Sequence, residues 1–162
     1  MHVTQRYDFK DKAADYVSLA GELASLLASE TDLIANAANT SALLFDAIPD
    51  ISRAGFYFLR GDELVVGPFQ GKPACVRICM GKGVCGAAAQ QRSTLVVPDV
   101  DAFPGHIACD AASRSEIVIP LISKDALWGV LDIDSSTLAR FDEVDRHGLE
   151  QLVAIFIHAS RP

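Results

Sequence analysis

Two pairs of short apolar segments, each pair joined by a polar turn, constrain the fold of this chain more than any other feature of its sequence. The segments are rich in the β-branched and aromatic residues that favour strands. They are residues 55–59 and 64–66, which flank Arg60-Gly61-Asp62, and residues 117–122 and 127–133, which flank Lys124-Asp125. Strands joined by such short turns pair antiparallel. We therefore predict two β-hairpins in a mainly antiparallel sheet.

Segments with helical periodicity precede, separate and follow these hairpins. The predicted helices are residues 11–29, a second helix capped by Asp32 and ending before Pro49, a short helix near 84–91, and a last helix capped by Asp142. A further short strand is predicted at residues 94–97. This order of elements predicts a single α+β domain over residues 1–162, with helices packed on one face of a central sheet.

Two stretches without periodicity, residues 71–86 and 98–114, are predicted as long loops, the first leading into the short helix. Both contain glycine and proline, which interrupt regular structure. Loops of this length in a small domain usually have a function. We expect them to cover a pocket.

The charge balance excludes several classes of function. Lys and Arg number 14 against 21 Asp and Glu, a net charge of −7, and no basic cluster suits nucleic acid or an anionic membrane. The first residues contain no apolar signal core, and no apolar run approaches the roughly 20 residues of a membrane helix. We therefore expect a cytoplasmic location. In a reducing compartment, the 4 cysteines are more often catalytic or metal-bound than structural.

Cys109 and Cys85 are the candidate reactive thiols. Cys109 lies in a polar loop, with His106 three residues before it and Asp110 after it. A nearby cation would lower its pKa and make it a nucleophile, whereas an inert buried cysteine is the alternative. Cys85 follows Gly83 at the predicted start of a helix, where the helix dipole favours a thiolate; packing at a tight turn is the alternative.

Cys75 and Cys79 leave a zinc site open as another interpretation. Their spacing lacks the Cys-x-x-Cys pattern of redox motifs and zinc knuckles. A zinc ion would need a scattered set of ligands drawn from Cys75, Cys79, Cys85 and Cys109 or His106. Such spacing is unspecific, so we expect no metal.

Three acidic residues in and beside the second predicted hairpin are the other candidate site residues. Asp132 and Asp134 alternate along one strand and therefore share a face, unless the strand ends before them. A two-residue turn would place Glu116 opposite Ile133 on the other face, and a three-residue turn would place it opposite Asp134. Tyr57 alternates with Phe56 on the first strand, so one of the two can face a pocket.

Over nearly its whole length the chain resembles the free methionine-(R)-sulfoxide reductases, single-domain enzymes of the GAF fold, and six strings are the most specific part of the resemblance. They are Gly-Pro-Phe-Gln-Gly at 67–71, Ala-Cys-Val-Arg-Ile at 74–78, Gly-Lys-Gly-Val-Cys-Gly at 81–86, Gly-His-Ile-Ala-Cys-Asp at 105–110, Ser-Glu-Ile-Val at 115–118 and Gly-Val-Leu-Asp-Ile-Asp at 129–134. GAF domains in general diverge too far to share these strings. The resemblance implies a single GAF-type catalytic domain.

The resemblance also implies a reaction and its residues. Cys109 would attack the sulfoxide sulfur of free methionine-R-sulfoxide and become a sulfenic acid. Cys85 would condense with it to a disulfide, Cys75 would be a relay or alternative resolving thiol, and a thioredoxin-like dithiol would restore the thiols without any cofactor. The implied substrate-binding residues are Glu116, Asp132, Asp134 and Tyr57. The resemblance further implies a homodimer.

Two residues depart from the family pattern. Arg53 stands where the family usually carries a tryptophan that packs on the methyl-sulfur end of the substrate, so this wall of the pocket is expected to differ. Cys79 stands where the family usually has proline, outside the implied relay. A non-enzymatic GAF module that binds a small molecule or senses oxidants is the alternative function.

Overall fold

The sheet at the centre of the molecule has six antiparallel strands in the order β3-β2-β1-β6-β5-β4. The computed structural model describes residues 7–107 and 110–161. The strands are β1 (Arg53–Arg60), β2 (Glu63–Gly71), β3 (Arg77–Cys79), β4 (Leu95–Val97), β5 (Ser115–Ser123) and β6 (Ala126–Ser135). The helices are α1 (Lys12–Leu27), α2 (Leu33–Ala47), α3 (Gly83–Gln91) and α4 (Glu143–Ala159). The predicted α+β fold with a mainly antiparallel sheet is confirmed.

The helices are distributed over both faces of the sheet. Helices α1, α2 and α4 pack on one face, in a core that includes Phe56, Leu131 and Ile133. The short helix α3 packs on the opposite face, in a second core with Tyr57 and Val130. The central strands are therefore buried on both sides, in agreement with their nearly continuous apolar runs. The expectation that the helices pack on one face holds for the three long helices, whereas α3 lies on the other face. The second face carries the candidate site.

Side-chain caps begin the three long helices where the sequence predicts them. Asp11, Asp32 and Asp142 each accept a hydrogen bond from a backbone N–H in the first turn of α1, α2 and α4. In α4 the cap is reciprocal, since Asp145 accepts from the backbone N–H of Asp142. Asp145 is buried, and it also accepts from Tyr16 on α1, which ties the two helices together.

The strand β3 is absent from the sequence prediction, which treats residues 71–86 as irregular. Its three residues pair with Glu63–Val65 at the edge of the sheet. So short a strand, in a glycine-rich stretch, carries too little alternation to be recognised. The other long loop contains a short 3₁₀ helix, Val100–Ala102. In the described part of the chain, no helix is both long and apolar enough to cross a bilayer.

Candidate active site

Three carboxylates lie on the face of the sheet that α3 covers. Asp132 and Asp134 alternate on β6 and line a pocket, while Leu131 and Ile133 face the opposite core, as the alternation predicts. Glu116 on β5 lines the same pocket directly opposite Asp134. Glu116 and Asp132 are 6% and 4% exposed. Carboxylates this deeply buried require partners or protons.

A β-bulge brings Glu116 to this face. The turn between β5 and β6 consists of Lys124 and Asp125, since Ser123 pairs with Ala126. The register then shifts, because Leu121 pairs with Gly129 and Ile122 with Leu127, which leaves Trp128 as an extra residue. The expectation that a two-residue turn sets Glu116 opposite Ile133 is therefore wrong for this hairpin. The bulge has the effect expected of a three-residue turn.

Helix α3 brings a thiol against the carboxylates. The Cys85 Sγ lies 3.7 Å from Glu116 Oε1, to which it donates a hydrogen bond. Gly86 allows this approach, since a Cβ there would lie 2.4 Å from the carbonyl oxygen of Cys79. Because that obstacle is backbone, only glycine fits without moving the helix.

Burial and mutual repulsion keep protons on two of the carboxyl groups. Burial and the charges of Asp132 and Asp134 raise the pKa of Glu116 well above its ordinary value of 4.5. Burial and the charge of Asp132 likewise raise the pKa of Asp134, although Arg53 and a hydrogen bond with Ser113 oppose the rise. Glu116 is therefore a proton donor held beside a carboxylate.

Arg53 favours the ionised form of Asp132. Burial raises the pKa of Asp132, and the positive charge of Arg53 opposes this. The Arg53 Nε lies 3.3 Å from Asp132 Oδ2 and 3.9 Å from Asp134 Oδ2. The guanidinium is 4.5 Å from the Phe69 ring centre and 5.4 Å from that of Tyr57. The side chain is thus held between two aromatic rings and two carboxyl groups.

From the sequence, Arg53 is recognisable only as a departure from a family pattern, and its ion pair is not predicted. The signal lies in the strand boundary. β1 begins at Arg53, two residues before the apolar segment, and in the antiparallel pairing of β1 with β6 Arg53 stands opposite Asp134. The contact also requires the pairing of β1 with β6, which are distant in sequence and form no hairpin.

The pKa of Cys85 is opposite to the one that its helix position favours. Burial and the charges of Asp132 and Glu116 raise its pKa well above 9.0, and Cys85 is 5% exposed. The predicted acidification by the N-terminus of α3 is therefore wrong, because desolvation of the thiol and the neighbouring carboxyl groups outweigh a partial positive charge. Cys85 is a thiol at neutral pH.

The loops predicted to cover a pocket provide its outer wall. The His106 Nε2 lies 4.0 Å from Glu116 Oε2. Lys72 forms an ion pair with Asp110 at 3.2 Å across the opening, and Ser113 lines the same pocket. Sequence reasoning finds these loops but assigns no role to Lys72 or Ser113, since neither belongs to a recognisable motif.

Comparison with known proteins is consistent with this geometry. A profile of the GAF domain matches residues 22–159. The free methionine-R-sulfoxide reductase of Escherichia coli is 54% identical over 144 residues, which are 89% of this chain and 87% of that protein. The chain belongs to the free methionine-R-sulfoxide reductase family. The Neisseria meningitidis free methionine-R-sulfoxide reductase, solved in complex with its substrate, superposes with a TM-score of 0.93 at 48% identity, covering 98% of this chain and 95% of that one.

The described cysteines of this reductase-family protein lie in different environments. Cys85 lines the pocket, whereas Cys75 is half-buried against the core beneath α3 and its carbonyl accepts a hydrogen bond from Tyr57 Oη at 3.1 Å. Cys79 is exposed on the edge strand, with its Sγ 3.8 Å from Glu63 Oε1. Cys109 lies outside the described residues. Its sequence neighbours Ile107 and Asp110 line the pocket.

The zinc interpretation finds little support in the described part of this reductase-family chain. The exposed Sγ of Cys79 contacts Glu63 and lies outside the pocket that contains Cys85. Ligand atoms of Cys85, Glu116 and Asp132 lie within 4.8 Å of one another, close enough to hold a metal ion. However, the Arg53 cation already pairs with Asp132 there. Zinc would also require Cys85 and Glu116 to lose their protons, which the raised pKa of each group opposes.

Proposed function

We propose that this protein reduces free L-methionine-(R)-S-oxide to methionine. The observation that carries the proposal is the buried Glu116, whose pKa is raised well above 4.5 and which shares a pocket with the Arg53–Asp132 ion pair and with a loop that leads to Cys109. A sulfoxide oxygen is a poor leaving group until it is protonated, and a carboxyl group with a raised pKa can supply that proton at neutral pH. The proposal agrees with the activity named for the Escherichia coli relative.

In the proposed first step, the Cys109 sulfur attacks the sulfoxide sulfur while Glu116 protonates the sulfoxide oxygen. The hydroxyl group then passes from the substrate sulfur to the Cys109 sulfur, as the new S–S bond and the S–O bond of the substrate both break. Methionine leaves with the electron pair on its sulfur, and Cys109 is left as a sulfenic acid. The Cys109 thiol proton balances the reaction, since thiol plus sulfoxide gives sulfenic acid plus thioether. His106, at 4.0 Å from Glu116, is placed to return a proton to that carboxyl group.

In the proposed second step, a resolving thiol condenses with the sulfenic acid, forming a disulfide and releasing water. Burial and a raised pKa make Cys85 a poor thiolate and shield it from a protein reductant. We therefore propose Cys75, which is half-buried, as the resolving thiol in place of Cys85. A thioredoxin-like dithiol then reduces the disulfide by exchange, and no cofactor takes part.

The proposed restriction to the free amino acid follows from the charge of the pocket. Asp132, whose ionised form Arg53 favours, can pair with the α-ammonium of a free amino acid. A methionine sulfoxide inside a peptide has an amide at that position, which cannot supply the charge. Dependence on a dithiol reductant would suit a reducing compartment such as the cytoplasm.

The test is NADPH consumption with thioredoxin and thioredoxin reductase. Free methionine-R-sulfoxide, its S epimer and a peptide-bound R-sulfoxide are compared, with Cys109→Ser as the inactive control. We expect turnover of the free R epimer alone. Full activity of Cys109→Ser would overturn the mechanism, and stoichiometric oxidation of the thiols without turnover would favour the redox-sensing alternative. Light scattering on the same sample tests the homodimer, which stays a prediction.

A further inference from the structure

Two buried polar atoms in the pocket have no hydrogen-bond partner. They are Arg53 Nη2 and Asp132 Oδ1, which belong to the two members of one ion pair. Four other buried side-chain atoms in the described residues share this property, on Asp15, Asn36, Thr40 and Ser52, and none of those residues lines the pocket. A buried donor and a buried acceptor without partners are costly unless a ligand completes them.

The orientation of the guanidinium is fixed before any ligand binds. Its Nε is 3.3 Å from Asp132 Oδ2, its Nη1 reaches the carbonyl oxygen of Lys72 at 3.5 Å, and Phe69 lies against the planar group. Arg53 is 6% exposed, so these contacts are shielded from water. The remaining nitrogen, Nη2, is therefore a donor with a set position beside the carboxylates.

We propose that Arg53 is a binding and specificity-determining residue: its Nη2 donates to an acceptor oxygen of the ligand, while Asp132 Oδ1 accepts from the ligand's ammonium group. The inference rests on the proposed function and deepens it. A methionine sulfoxide offers two acceptor oxygens of this kind, the sulfoxide oxygen and the α-carboxylate. A donor on the sulfoxide oxygen would separate the substrate from the product, methionine, which lacks that oxygen.

The inference is tested by calorimetric titration in a Cys109→Ser background, in which ligands bind without turnover. The variants are Arg53→Met, which replaces the guanidinium with an uncharged side chain of similar length, and Arg53→Lys, which keeps the positive charge but lacks the two terminal nitrogens of the guanidinium. The ligands are methionine-R-sulfoxide, methionine and the methyl ester of methionine-R-sulfoxide. Thermal unfolding of each variant is recorded alongside.

Arg140→Met is the matched control. The Arg140 side chain is also shielded, at 8% exposed, and it pairs with Asp145 at 3.3 Å and lies 5.5 Å from the Phe141 ring centre, outside the pocket. We expect it to lower the unfolding temperature while the dissociation constants stay within about twofold. Like Arg53→Met, Arg140→Met removes an arginine that pairs with a buried aspartate. It therefore reproduces the loss of stability expected of Arg53→Met without changing the pocket.

We expect Arg53→Met to weaken binding of methionine-R-sulfoxide by about tenfold or more. Unchanged methionine binding would identify the sulfoxide oxygen as the acceptor. Equal weakening for both free amino acids, with the ester unaffected, would identify the carboxylate. Changes below about twofold for every ligand in Arg53→Lys and in Arg53→Met would overturn the inference, as would a Cys109→Ser parent that binds none of them. Binding without turnover in the wild-type enzyme would remove the proposed function and leave the donor role standing.

Discussion

Glu116 on β5 stands directly opposite Asp134 on β6, although only two residues form the turn between the strands. The extra residue Trp128 restores the alignment by shifting the register after Ile122. A shift of one residue reverses the face of every later side chain. The bulge therefore decides whether Glu116 lies beside the carboxyl groups of Asp132 and Asp134 or points into the core on the opposite face of the sheet.

The pH dependence of the rate is the first prediction, and it follows from the protonated state of Glu116. Its pKa lies well above 4.5, so kcat is expected to be high on the acid side of that raised pKa and to fall as pH rises through it. Glu116→Gln removes the proton and is expected to lower kcat by about a hundredfold. It should also abolish the alkaline decline. A Gln variant that retained both rate and pH profile would exclude Glu116 as the acid.

Stability should change with pH in the opposite way to most carboxylates. The pKa of Asp134 is raised in the folded state. Above pH ~4 the folded chain therefore binds more protons than the unfolded chain. The free energy of unfolding consequently falls as pH rises toward the folded-state pKa. Asp134→Asn is expected to raise the unfolding temperature at pH 8 by about 3 °C, with a smaller gain near pH 4. Calorimetric scans across this pH range measure the difference.

An exposed aspartate provides the control for the Asp134 substitution. Asp46 lies on the outer face of α2, so Asp46→Asn should leave the unfolding temperature nearly unchanged at both pH values. A destabilised Asp134→Asn at pH 8 would show that the carboxylate is needed there in its ionised form.

The two candidate resolving thiols should behave differently. Cys75→Ser is expected to complete about one turnover and then stop, because the sulfenic acid is left without a resolving partner. Cys85→Ser should continue to turn over with thioredoxin, since its buried thiol is protonated. Rapid-quench measurement of methionine per enzyme separates the two. A stalled Cys85→Ser with an active Cys75→Ser would restore Cys85 as the resolving residue.

The close approach of α3 to the backbone gives a steric prediction. Gly86→Ala places a Cβ 2.4 Å from the carbonyl oxygen of Cys79 and should displace the helix that carries Cys85. We expect a loss of about 1–3 kcal/mol in the free energy of unfolding and a raised KM. Gly21→Ala on α1 is the matched control, since nothing lies within 4 Å of its Cβ. It should be neutral or stabilising by up to about 1 kcal/mol in urea titrations.

The sequence alone predicts most of the secondary structure and the identity of the acidic residues. Hairpins, caps and helical stripes are local, so residues a few positions apart are enough to specify them. The alternation of Asp132 and Asp134 is local in the same sense, and it correctly places both on one face. The strings around Cys75, Cys85 and Cys109 identify the family, as the Escherichia coli relative confirms.

The tertiary structure decides how those residues act. Whether Glu116 reaches the pocket depends on a bulge at Trp128, and the ion pair of Arg53 with Asp132 depends on where β1 begins. The protonation of Cys85 depends on the carboxylates packed around it, against the preference of its own helix. Register and burial join parts of the chain that are distant in sequence, and the cost of desolvating a charge depends on all of them together.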